Sequence, residues 1–315
     1  MDQAAASGPP PTPAPFTAQG CGSRALVLDG GLSNQLEVQG CDLSDPLWTA
    51  RLLADQPGQV HAAHLAYVRA GAQVLTTASY QATFQGFARR GLGRARAAEL
   101  MRRSVQLARR AAMAGGADSA AVRVAASVGP YGAMLADGSE YRGRYGLTVR
   151  ELERFHRPRI EALAEAGPDM LALETVPDTD EGEAMLRAAE GTGVPVWLSF
   201  TVEGRRTRAG QPLEEAFALA AGRAEVLAVG VNCCAPGDVA AAVRLAAEVS
   251  SKPVVAYPNS GERWDADSRR FTGGSAFDPA VVTEWRRAGA RLIGGCCRVG
   301  PDGISAISRA LRCEG

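Results

Sequence analysis

The sequence predicts one (β/α)8 TIM-type barrel, class α/β. Three observations carry this. Short β-branched runs alternate eight times with Ala/Leu/Arg-rich amphipathic stretches. The 315 residues accommodate the ~250 of such a barrel, and no interior linker divides them. Polar and sulfur-bearing residues collect at the C-terminal ends of the runs, where barrels place their chemistry. An open doubly wound sheet is the architectural alternative.

The first run, ALVLDGGL at 25–32, ends in Asp29-Gly30-Gly31, and a helical pattern follows over 56–70. The second, VLTTASY at 74–80, opens a polar stretch reaching Thr83, with a helix over 94–114. The third, VRVAASVGP at 122–130, leads into a Gly/Tyr-rich loop and a helix over 148–166. The fourth, MLALETVP at 170–177, carries Glu174-Thr175 and precedes a helix over 180–190. The fifth, PVWLSFTV at 195–202, pairs with a helix over 212–221. The sixth, VLAVGVNC at 226–233, ends in Asn232-Cys233 beside Cys234, with a helix over 236–249. The seventh, PVVAYPN at 253–259, ends in Tyr257-Pro258-Asn259 before a long loop and a helix over 278–288. The eighth, RLIGGCC at 291–297, is followed by a helix over 301–311. Residues 1–22 are Pro/Ala-rich, have no basic start or apolar signal core, and read as a disordered tail. Residues 23–315 then form a single barrel domain.

Composition narrows the function classes. Net charge is zero, which argues against nucleic acid or an anionic membrane as partner. No apolar run reaches the ~18 residues of a membrane span. Lys252 is the single lysine, so a Schiff base has no other candidate. Seven cysteines, an odd number with two vicinal pairs, do not suit a secreted disulfide framework and fit a reducing cytoplasm.

The vicinal pairs are Cys233-Cys234 and Cys296-Cys297. Neighbouring side chains on a strand face opposite ways, so adjacent thiols share a ligand only where the backbone leaves strand geometry. Gly294-Gly295 would permit that departure. Cys233, Cys296 and Cys297 are therefore read as three thiolate ligands of one Zn2+, leaving a fourth position open as catalytic sites do. Cys234 could replace Cys233 or be a bystander, and all four could be small buried apolar residues. Cys21, Cys41 and Cys313 read as ordinary thiols. His61, His64 and His156 read as exposed or packed helix residues. Asp29 and Glu174 are the carboxylates at run ends, suited to a substrate ammonium or to proton transfer, or else to helix capping. Gly30-Gly31 would let backbone amides approach a bound carboxylate. The Thr76–Thr83 stretch either contacts a ligand or caps a helix. Trp48 and Trp264 are loop aromatics able to face a cation or to seal the barrel. Asn232, Tyr257 and Asn259 complete the candidate pocket.

Seven stretches resemble the homocysteine S-methyltransferase family: LDGGLSNQLE at 28–37, DPLWTA at 45–50, TTASYQAT at 76–83, LETVPD at 173–178, GVNCC at 230–234, YPNSGERW at 257–264 and GGCCRVGP at 294–301. The resemblance covers nearly the whole chain after the tail. It implies a zinc-dependent barrel that methylates homocysteine to methionine. It places the metal ligands on Cys233, Cys296 and Cys297, and the amino-acid end of homocysteine on Asp29, Gly30, Thr77 and Glu174. Its branch using S-methylmethionine or S-adenosylmethionine is preferred. In the betaine-using branch an aromatic cage is expected, whereas Thr175 follows Glu174 here and Gln81 stands where a cage tyrosine would. A lyase or aldolase with packed cysteines and Glu174 as base is the rival from another class. The expected chemistry has no catalytic group beyond the zinc-held substrate thiolate, because the leaving group is a neutral thioether. A cytoplasmic monomer is expected.

Overall fold

The structure is a computed structural model describing residues 25–115, 122–265, 270–272, 278 and 280–312. The tail, Cys21 and Cys313 lie outside the described residues.

All eight expected strands form: β1 (Leu26–Val27), β2 (Val74–Thr76), β3 (Arg123–Val128), β4 (Met170–Val176), β5 (Val196–Phe200), β6 (Val226–Asn232), β7 (Val254–Tyr257) and β8 (Ala290–Ile293). They lie in one parallel sheet in the order β1-β8-β7-β6-β5-β4-β3-β2. The sheet closes: Leu28 bridges Val74 in parallel, Asp29 N donates to Val74 O at 3.0 Å, and Gln73 N donates to Val27 O at 2.7 Å. Closure excludes the open doubly wound alternative.

The strands are buried on both faces, as parallel sheets under a helical coat must be. Their side chains divide by parity. Val124, Ala126 and Val128 of β3, Leu171 and Leu173 of β4, and Val196, Leu198 and Phe200 of β5 join the large core under the helices. Ala125, Met170, Ala172, Trp197, Val255 and Leu292 fill the barrel interior. Extending the inward parity toward the C-terminal ends reaches Thr76, Ser127, Glu174, Ser199, Asn232 and Tyr257. Polar side chains thus stack above an apolar plug because the strand repeat is two.

The helices expected from periodicity are present as Pro57–Arg69, Arg94–Ala114, Val149–Ala164, Thr179–Ala189, Leu213–Ala218, Pro236–Ser250, Val281–Ala288 and Pro301–Arg312. Thr148 and Glu151 form a capping box, and Asp178 caps the helix that begins at Thr179. Short helices at Leu32–Val38, Thr49–Asp55, Phe84–Arg89 and Tyr131–Leu135 lie in segments that the sequence pattern presents only as loops. So do the hairpins pairing Val202–Glu203 with Arg206–Thr207 and Arg263–Asp265 with Arg270–Thr272. One or two turns of helix are too short to leave a 3.6-residue signature.

Gly230 on β6 shows how tightly β6 and β7 approach. A Cβ there would lie 1.9 Å from Val255 O. Backbone cannot yield as a flexible side chain can. Gly230→Ala is expected to cost about 1–3 kcal/mol of stability, read by urea or thermal unfolding; an unchanged midpoint would contradict this packing.

Candidate functional site

The C-terminal ends of the strands open into a cavity of about 460 Å³, within the ~300–1,000 Å³ range of small-molecule sites. Cys233, Cys296, Cys297, Glu174, Thr77, Gly30, Trp48 and Tyr257 all line it. These residues come from the ends of β1, β2, β4, β6, β7 and β8 or the loops after them. Among the described residues, no lysine or arginine lines this cavity, while Asp45, Glu140 and Glu174 do. Its field favours cations.

The three sulfurs meet at one wall. Cys233 Sγ lies 2.8 Å from Cys296 Sγ and 3.7 Å from Cys297 Sγ, and all three lie within 4.8 Å of one another. Asn232 faces inward, so a regular strand would turn Cys233 outward. Cys233 instead has φ +50°, a left-handed conformation that non-glycine residues seldom adopt, and its thiol reaches the cavity. Cys234 does not join the trio; it packs into the outer core at 1% exposure. The alternative ligand assignment therefore has no geometric basis.

The glycines before Cys296 work differently from the expectation. Neither Gly294 nor Gly295 has positive φ; the left-handed residue in this turn is Arg298, at +67°. The glycines supply space. A Cβ on Gly294 would lie 2.7 Å from Asp29 O, and one on Gly295 would lie 2.3 Å from Val299 Cβ. Gly30 and Gly31 also supply space, since Cβ atoms there would meet Val299 O at 2.1 Å and Cys296 O at 2.7 Å. Gly31 N already donates to Val299 O at 3.0 Å. The loops after β1 and β8 are thereby pressed together, which sets the cysteine pair beside Asp29. Asn259 fixes the pair further, accepting from Cys297 N at 3.2 Å.

Burial and mutual contact govern the thiols. Hydrogen bonds from Cys233 and Cys296 hold Cys297 well below the usual thiol range. Hydrogen bonds to Cys233 and Cys297 push Cys296 well above it. Three crowded thiols cannot all ionise unless a cation joins them.

Glu174 stands opposite. A bulge between Leu173 and Val176, with Thr175 at φ +59°, aims both residues at the mouth. Asn232 holds that bulge: its Oδ1 accepts from Thr175 N at 2.7 Å and its Nδ2 donates to Thr175 Oγ1 at 2.8 Å. Ser127 Oγ donates to Glu174 Oε1, and Tyr257 OH donates to Oε2 at 2.9 Å. Tyr257 OH also accepts from Trp197 Nε1 at 3.0 Å. Burial outweighs these bonds and pushes Glu174 up to about 7.

Asp29 is 2% exposed and does not reach the cavity wall. Thr76 takes both its oxygens, through its amide at 2.8 Å and its hydroxyl at 2.7 Å. Burial pushes Asp29 up to about 8. Thr77 Oγ1 accepts from Ser127 N at 3.0 Å and pairs with Ser79 Oγ at 2.6 Å. Thr83 caps the helix after it through Gly86 N, so the capping role considered for the polar stretch is present. Trp48 and Tyr80 meet edge-to-face at 6.2 Å between ring centres. Asn232 and Asn259 support the wall from behind. The side chain of Trp264 lies outside the described residues. His64 is buried away from the cavity, and His156 pairs with Glu181 at 2.9 Å elsewhere. Sequence reasoning named Thr76 only as part of the Thr76–Thr83 stretch and missed Ser127, Glu140 and Tyr141. Parity along β3 could have found Ser127.

Fold and site together define a (β/α)8 enzyme of small molecules with a three-cysteine candidate metal centre in an acidic mouth. The family model for homocysteine S-methyltransferase matches residues 26–311. A homocysteine S-methyltransferase from Zea mays is 46% identical over 304 residues, 91% of this chain and 89% of the relative. One from Escherichia coli is 45% identical over 292 residues, 90% of this chain and 94% of the relative. The crystal structure of the Escherichia coli homocysteine methyltransferase MmuM in its metallated form superposes with TM-score 0.81 at 43% identity, covering 90% of this chain and 96% of that one. The chain belongs to the homocysteine S-methyltransferase family.

The Glu174 carboxyl gives a pH signature. Its folded value, about 7, lies above its ordinary 4.5, so the folded state holds this proton more tightly than the unfolded state. Stability contributed by that proton is present at low pH and lost as pH rises from about 4.5 through about 7. In metal-free protein, Glu174→Gln should flatten the fall of unfolding free energy between pH 5 and pH 8, by an amount on the order of 1–3 kcal/mol, read by urea unfolding at each pH. An unchanged slope would show that Glu174 ionises freely.

Proposed function

We propose that this protein transfers a methyl group from a sulfonium donor, S-methylmethionine or S-adenosylmethionine, to the thiol of homocysteine, giving methionine. The observation that carries the reading is the meeting of three sulfurs from two distant strand ends in one cavity with Glu174.

The donor set fits zinc. Three thiols close enough to share one ion are soft ligands, no basic side chain among the described residues of the cavity wall offsets them, and their open side faces the cavity. Cys233, Cys296 and Cys297 would hold the ion. Bound there, zinc supplies a Lewis acid that favours the thiolate form of an incoming thiol near neutral pH.

The remaining work is orientation. Glu174 receives the α-ammonium of homocysteine, since its carboxylate is fixed by Ser127 and Tyr257 and lines the wall. Asp29 acts from behind through Thr76, holding that strand end. Gly30 and Thr77 border the same end of the cavity and complete the amino-acid subsite. No general acid is needed at the transfer, because the departing sulfur leaves as a neutral thioether. Gln81 in the wall, with its amide donating to Ala133 O at 3.1 Å, supports a sulfonium donor over betaine.

The described cysteines are all unpaired, which supports a reducing, cytoplasmic setting. Among the described residues no helix is long and apolar enough to cross a membrane. The exposed large hydrophobic residues among them are only Val38, Met113 and Tyr141, which supports a monomer.

Purified protein given homocysteine and, separately, S-methylmethionine, S-adenosylmethionine and betaine should form methionine with the sulfonium donors and lose that activity in a zinc chelator. Chelator-insensitive turnover of a carbonyl substrate would favour a lyase instead. Cys296→Ser should lower both bound zinc and methyl transfer, the latter by roughly 100-fold or more. Retention of both would overturn the assignment.

A further inference from the structure

Beyond the amino-acid subsite, two further carboxylates line the cavity; Asp45 accepts from Leu47 N at 2.8 Å and lies 3.9 Å from Arg90, and Glu140 is left without a role. Glu140 belongs to a 3-10 turn, Ser139–Tyr141, in the loop after β3. It lines the cavity. Its Oε2 is buried and has no hydrogen-bond partner. Arg142, two residues on, is exposed and pairs with Asp137 at 3.7 Å. A buried carboxylate oxygen without a partner is costly, so such a group is retained where a ligand completes it.

The surroundings say what kind of ligand. Tyr141, the next residue, places its hydroxyl 3.6 Å from Cys233 Sγ. Tyr80 and Trp48 line the same cavity, with Tyr80 close enough to feel the charges of both Glu140 and Cys233. Glu140 therefore shares one cavity wall with the sulfur cluster, and the residue after it touches Cys233. Aromatic faces and one carboxylate form an environment for a soft organic cation. A thioether or a thiol would gain nothing from the charge.

We infer that Glu140 is a specificity-determining residue that binds the positive sulfur of the methyl donor, with Trp48, Tyr80 and Tyr141 as the apolar walls of that subsite. The inference rests on the sulfonium methyltransferase reading above. The homocysteine thiol loses its proton to solvent before transfer. Its sulfur lone pair then forms the new S–CH3 bond, and the CH3–S+ bond breaks with its electrons retained by the donor sulfur. The donor becomes a neutral thioether, so its attraction to Glu140 disappears with the charge. Glu140 thus strengthens donor binding and favours product release without lowering the barrier, since it stabilises a charge the reaction removes.

The test is Glu140→Gln in the zinc-loaded, full-length enzyme, with S-methylmethionine as donor. The KM for S-methylmethionine should rise roughly tenfold or more. kcat at saturating donor, the KM for homocysteine and the bound zinc should stay within about twofold of wild type. Competitive inhibition by methionine, the neutral thioether, should not weaken. Tm should be unchanged or higher, because an unpartnered buried charge has been removed. A purely structural role would lower Tm and disturb both substrates. An unchanged donor KM, or equal loss of donor and homocysteine binding, overturns the inference. If wild-type protein makes no methionine from any sulfonium donor, the failure belongs to the functional reading instead.

Discussion

The crowding of three thiols at one wall of the barrel mouth is the constraint on which the site depends. Cys233 and Cys296 are 63 residues apart in sequence, yet their sulfurs lie 2.8 Å apart. That contact exists because β6 and β8 flank β7 in a closed sheet. It also needs two local departures from regular backbone. One is the left-handed Cys233; the other is the glycine-lined press between the loops after β1 and β8. Each carries a conformational or packing cost that the rest of the barrel must hold in place.

The acidic groups follow from the same geometry. Inward parity places Glu174 above a floor of Ala172 and Met170, so it is desolvated before any ligand arrives. Asn232, itself fully buried, ties the Thr175 bulge to β6, the strand that ends at Cys233. The proposed ammonium subsite and the wall of sulfurs are thus parts of one hydrogen-bonded frame. The mouth collects carboxylates and thiols and, among the described residues, lacks lysine and arginine in its wall, which suits a reaction whose reactants bring positive charge.

Much of this was legible in the sequence, and the reasons are physical. The eight strands are buried on both faces and read as continuous apolar runs; the main helices span enough turns to show a period. The cysteines, Asp29 and Glu174 stood out because reactive residues at run ends must converge if the runs close into a barrel. What escaped depended on short-range or through-space detail. Glu140 and Tyr141 sit in a single helical turn whose approach to Cys233 is set by tertiary packing. Thr76 and Thr77 are adjacent, and only strand parity separates the residue that grips Asp29 from the one bonded to Ser127. Gly294 and Gly295 suggested unusual dihedrals, yet their need is for space, which no local sequence pattern reveals. Asn259 and Asn232 looked like pocket residues; they brace the wall from behind.

The central claim is that Cys233, Cys296 and Cys297 hold one zinc ion with room for a further sulfur. Zinc-edge X-ray absorption on the purified protein, before and after homocysteine, tests it most directly. The account predicts three sulfur neighbours per zinc in the free protein and four once homocysteine is added. A shell dominated by nitrogen and oxygen, or a sulfur count that homocysteine leaves unchanged, would contradict it.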